Sequence, residues 1–97
     1  LHDAMGSMGV EFPGLLGVQR YLGTCPFRGT PAHHVIAATP LGKMTLLLAP
    51  GRRIEAPGAA RSRGLCAIVR PAGGGCLAIV GESRRGLERV CSMVLQA

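Results

Sequence analysis

A chain of 97 residues makes one domain with a modest core, and an apolar content of 47% excludes wholesale disorder. With two Phe, one Tyr and no Trp that core must be aliphatic, and 15 Gly with 7 Pro favour short strands and many turns over long helices. The net charge of +6 permits attraction to nucleic acid or an anionic membrane. The stacking aromatics and dense basic stripe of a nucleic-acid binder are missing, however, which leaves such a module a weak alternative.

No run of about 18 apolar residues is present to span a membrane, and no signal peptide opens the chain. Leu1-His2-Asp3 reads instead as the middle of a longer protein, leaving room for an upstream anchor. Cys25, Cys66, Cys76 and Cys91 lie far apart without a Cys-x-x-Cys, which disfavours structural zinc. Their even number permits two disulfides in an oxidising compartment.

Taken in chain order, Leu1, Met5 and Met8 fall on one face of a short helix that Gly9 is placed to stop. Val10 to Phe12 reads as a short strand, and Val18 to Thr24 as a longer one with alternating pattern. Residues 33–39 and 43–49 form a hairpin around Thr39-Pro40-Leu41-Gly42, with Pro at the second position of a type I turn and Gly in a bulge. That turn sets Thr39 opposite Lys43 and puts His34, Ile36, Ala38, Met44, Leu46 and Leu48 on the core face. Residues 51–63, after Pro50, carry Arg52, Arg53, Arg61 and Arg63 with little apolar pattern and read as an exposed loop. A solvated connector is the simpler account of it, and its arginines are the candidate contacts if the loop docks on an acidic partner.

Leu65 to Arg70 and Cys76 to Gly81 repeat the hairpin, with Arg70-Pro71-Ala72-Gly73 echoing the first turn. On that register Cys66 and Cys76 share a face as diagonal neighbours about 7 Å apart, too far for an easy disulfide. Ser83 is a good N-cap, and Leu87, Val90, Cys91, Val94 and Leu95 follow at helical spacing. The expected fold is therefore α+β: a small antiparallel sheet built from two hairpins, a short N-terminal helix and an amphipathic C-terminal helix.

Candidate chemistry centres on Cys25, which ends a strand just before Pro26, and on His34. A thiolate–imidazole pair would need both to turn toward one another. No Asp or Asn is placed to orient such a pair for hydrolysis. Cys-Pro with a nearby His also suits a haem-responsive ligand set, but so short a signal recurs by chance. His33 and His34 point to opposite faces of a strand and do not share a metal, and no third ligand accompanies Cys25 and His34. No phosphate-binding loop and no spaced carboxylate pair occurs, so neither an enzyme nor a cofactor is expected.

Read as one pattern, Tyr21…Cys25-x-Phe27-x-Gly29…His34-x-Ile36…Gly42-x-x-Thr45…Pro50 resembles an uncharacterised bacterial family. In that family a similar segment forms the C-terminal, extracytoplasmic domain of small single-pass membrane proteins. Their N-terminal part looks like an anti-sigma factor or transmembrane transcriptional regulator. The resemblance covers about residues 21 to 83, and Cys66, Cys76 and Cys91 are not features of it. It implies a periplasmic location, a transmembrane helix upstream and a non-enzymatic sensing role through a protein partner or a homodimer. A cytoplasmic domain, and a thiol- or metal-binding sensor using Cys25 and His34, are the alternatives.

Overall fold

The computed structural model of the chain describes residues 1–95. The chain runs through α1 (His2–Met8), a 3-10 turn (Gly14–Leu16), β1 (Val18–Phe27), β2 (Thr30–Thr39), β3 (Gly42–Ala49), β4 (Gly58–Ser62), β5 (Leu65–Ala72), β6 (Gly75–Gly81) and α2 (Arg84–Val94). The six strands form one antiparallel sheet in the order β1-β2-β3-β6-β5-β4, so the fold is α+β with two helices against a sheet.

The sheet consists of two three-stranded meanders joined side by side through β3 and β6. Their outer turns share one design. Arg28-Gly29 links β1 to β2, Arg63-Gly64 links β4 to β5, and all four residues have φ between 51° and 82°. Two positive φ values in a two-residue loop match the right-handed twist of the flanking strands.

The turns between β2 and β3 and between β5 and β6 depart from expectation. Thr39 lies opposite Gly42 rather than Lys43, which leaves Pro40-Leu41 as a two-residue loop. The Thr39 hydroxyl accepts from the Leu41 N–H at 3.1 Å and donates to the Gly42 carbonyl at 2.6 Å, which closes the loop without a bulge residue. A shift of one residue moves every side chain of β2 to the other face. Val35 and Ala37 are therefore buried, while His34 and Ile36 lie on the opposite face and Ala38 is exposed. In the second hairpin Pro71 sits within β5 opposite Cys76, and Gly73-Gly74 makes the turn. Cys66 then lies opposite Gly81 and faces the core, whereas Cys76 points to the other side of the sheet. Opposite faces keep these two thiols apart, and all four cysteines are free.

The expected loop 51–63 contains strand β4, which pairs with β5 from Gly58 to Ser62. Its composition hid it: as an edge strand with every residue exposed, GAARS carries no apolar alternation. Val10 makes a single bridge with Leu95 rather than a strand of its own.

Both helices cover one face of the sheet. α2 packs on β5 and β6, and α1 on β3. As expected, Gly9 ends α1 in the left-handed region and Ser83 caps α2, its hydroxyl accepting from the Gly86 N–H at 3.2 Å. Leu87, Val90, Cys91 and Val94 pack with Met8, Val35, Leu46, Leu48, Ile68, Leu77 and Ile79 into a single aliphatic core. No described helix is long and apolar enough to cross a membrane.

Candidate functional site

Among the described residues no helix covers the second face of the sheet. Strand alternation brings Ile36, Thr45, Leu47, Val69 and Val80 to it, and all five are only half-buried. Part of this face is closed by Ile54 from the β3–β4 connection, which packs with Phe27, Ala32, Leu47, Ala49, Val69 and Cys76. Arg20 and Lys43 point from the strands to the same side. No strand carries an Asp or Glu. Burial raises the Cys76 thiol above its ordinary range, and the positive charges of Arg28 and Arg52 act against that rise. Arg28 also lines a depression on this face, beside Phe27 and Leu47.

The arginines proposed from sequence do not gather into one patch. Arg53 is tied to Glu55 at 3.3 Å with both groups exposed. Arg61 lies opposite Cys66 on the helix-covered side of β4, while Arg63 occupies the β4–β5 turn. Only Arg52 of the four bears on the buried Cys76 from the connection.

At the edge, β1 contains a bulge: Tyr21 lies opposite Val35 and Thr24 opposite His33, so Leu22 and Gly23 share the place facing His34. Cys25, between the turn and the bulge, lies opposite Ala32 and so shares a face with His34 as a diagonal neighbour. Cys25 is half-buried in a shallow depression formed with Thr24, Pro26, Gly29, Thr30 and Pro31. Among the described residues no hydrogen bond joins Cys25 to His34, and no three His, Cys, Asp or Glu side chains converge as metal ligands.

Counted from the Arg28-Gly29 turn, the bulge brings Tyr21 onto the face of His33, a contact that sequence reasoning missed. The Tyr21 hydroxyl lies 2.9 Å from Nδ1 of His33, with the ring centroids 5.8 Å apart. Burial, followed by the positive chain terminus, lowers the His33 pKa from its ordinary value. That favours the neutral imidazole, whose Nδ1 can accept the Tyr21 proton. A register count across β1 and β2 would have found the pair only with the bulge in place.

Among the described residues, four of the five exposed large apolar side chains cluster around β1: Leu15 and Val18, each more than three-quarters exposed, and Tyr21 and Leu22. The fifth, Leu65, begins β5 at the other side of the sheet. No family model matches the chain, and neither a similar curated protein nor a similar solved structure was found.

Proposed function

We propose that this chain is a non-catalytic interaction domain, the periplasmic sensing part of a membrane-anchored, anti-sigma-factor-like transcriptional regulator. The observation that supports contact through protein surfaces is the apolar cluster on the edge strand β1, with Val18 77% and Leu22 44% exposed. An unpaired strand edge offers free backbone donors and acceptors, and apolar side chains beside it add affinity for a partner strand. The bulge at Leu22-Gly23 confines the regular free edge to Val18–Tyr21. Contact of this kind serves either a partner protein or a second copy of the chain, and sedimentation at rising concentration separates the two. The membrane anchor and the periplasmic location come from the family resemblance of residues 21 to 83. In the full-length gene product, fractionation should place the protein in the membrane, and protease added to spheroplasts should digest this domain. Recovery in the soluble cytoplasmic fraction overturns the location.

One observation favours a second reading, a thiol- or metal-responsive sensor: the β1–β2 register sets Cys25 and His34 on one face. Metal content and thiol reactivity of the wild type and Cys25→Ala test it, and identical behaviour removes it.

A further inference from the structure

Two depressions on the open face join into one groove. The first lies between Phe27 and Arg28 at one edge of the sheet and β4 at the other, with a volume of about 290 Å3. The second, about 310 Å3, is bounded by Arg63 and Leu65. They share Ala60, Ala67 and Val80 as a common floor. The small floor residues leave depth, Phe27 and Leu65 supply apolar walls, and each end carries an arginine from an outer turn. We propose that this groove receives an amphipathic helix of a partner protein whose apolar stripe is flanked by carboxylates. The proposal rests on the reading of the chain as an interaction domain but uses a surface distinct from the Val18–Leu22 stretch of the β1 edge.

Three physical arguments select that occupant. The central floor, Ala67 and Val80, belongs to β5 and β6, which are paired within the sheet on both sides. An occupant entering this face must therefore satisfy its own backbone, as a helix does and an added strand does not. Cations at both ends call for acidic groups at both ends of the ligand, whereas an acyl chain brings one headgroup. A second copy supplies the wrong charge: its own α2 presents Arg84, Arg85 and Arg89 outward, and its open face is cationic as well.

The test uses a fluorescein-labelled peptide of about 18 residues, roughly 27 Å long as a helix, with a Leu/Ala stripe flanked by Glu. A control peptide carries Lys in place of Glu. The acidic peptide is expected to raise anisotropy with an affinity that weakens as salt is added, and the basic peptide is not. Ala60→Glu, at an exposed edge position, should weaken binding by about tenfold or more through charge and bulk in the groove. Arg28→Asn, which keeps a residue tolerant of positive φ, should weaken it by severalfold, and Arg85→Gln on α2 should leave it unchanged. Circular dichroism of each variant checks that the fold is retained, and Arg28→Asn decides the matter if Ala60→Glu fails to fold. Equal binding of the two peptides, or full binding by Arg28→Asn, overturns the proposal. So does preferential capture of the chain by phosphatidylglycerol vesicles, or occupation of the groove through self-association. Leu22→Lys on β1 should not alter peptide binding, so failure at the groove is separable from failure at the strand edge.

Discussion

The two faces of the sheet are built from neighbouring residues of the same strands, yet they meet different surroundings. On β3, Leu46 and Leu48 are fully buried under the helices, while Leu47 between them is half-buried on the open side. On β6, Ile79 is fully buried and Val80 is not. Apolar residues alone therefore do not define the core; the helices do, by covering one of two apolar faces. The open face also differs in its charge and packing: Arg20 and Lys43 point to it, and its helix substitute is the short β3–β4 connection carrying Ile54. An apolar face left this bare is more than the domain's own core requires.

The largest expected effect breaks the covered face. Leu46→Ala should cost about 2–5 kcal/mol through lost burial and the cavity it leaves. Leu47→Ala, one residue along, should cost only about 1 kcal/mol because half of that side chain is already solvated. Urea titrations of both variants measure the difference, and equal losses would mean that the open face is packed as tightly as the covered one. Next comes Gly73→Ala in the β5–β6 turn. Gly73 has φ 57°, and an added Cβ would lie 2.5 Å from the Ser7 carbonyl oxygen of α1. Strain and clash together should cost about 1–3 kcal/mol. Gly29→Ala, with φ 82° and no neighbour within 4 Å of its Cβ, should lose only the strain component of about 1 kcal/mol. A thermal-melt comparison of these glycine variants tests whether the covered side tolerates less than the open rim.

Much of this contrast was legible in the sequence, and the failures have physical causes. The period of Leu87, Val90, Cys91 and Val94 and the cap at Ser83 located α2, because a helix stripe and its cap are local signals. The strands of both hairpins were visible, but their turns were misread. A Pro-x-Gly stretch suits several loop lengths, and the choice between them depends on the Thr39 hydroxyl in one turn and on Gly73-Gly74 in the other. A register off by one residue in the first hairpin sent His34 to the wrong face, and one off by three in the second put Cys66 and Cys76 on the same face. Strand β4 was invisible because an exposed edge strand needs no apolar alternation; Arg63-Gly64, matching Arg28-Gly29, was the signal available for it. The groove combines residues from opposite edges of a curled sheet, and no sequence window contains them together.

Loosening the cover without touching the core should have a moderate effect. Ser83→Ala removes the hydroxyl that accepts from the Gly86 N–H, and the expected loss is about 1 kcal/mol. Ser83→Asp should retain the cap and exceed wild type slightly, since Arg84 and Arg85 place positive charge in a first turn that favours negative charge. Stability curves for the three chains decide this, and a Ser83→Ala curve that overlays wild type would assign α2's position to packing alone.

The smallest effect concerns the ion pair that joins the cover to the sheet. Arg70 rises from the core face of β5, and its Nη2 lies 2.7 Å from both carboxylate oxygens of Glu88 on α2, with Arg84 at 3.6 Å. Hydrogen bonding from Arg70, aided by the charges of both arginines, holds the Glu88 pKa below its ordinary value of 4.5 despite some desolvation. A lowered folded-state pKa means that the unfolded chain takes up the proton first. The pair's contribution is therefore fully present above the ordinary glutamate value and disappears as pH falls through the lowered one. Solvent exposure of Glu88 keeps that contribution small. Urea midpoints measured at descending pH should fall less steeply for Glu88→Gln than for wild type, and Arg70→Gln should flatten the slope in the same way. Lys43→Gln on the open face, where no strand carboxylate is present to answer the charge, should leave the acid slope as it is. If it flattens the slope as Glu88→Gln does, the electrostatic distinction between the two faces fails.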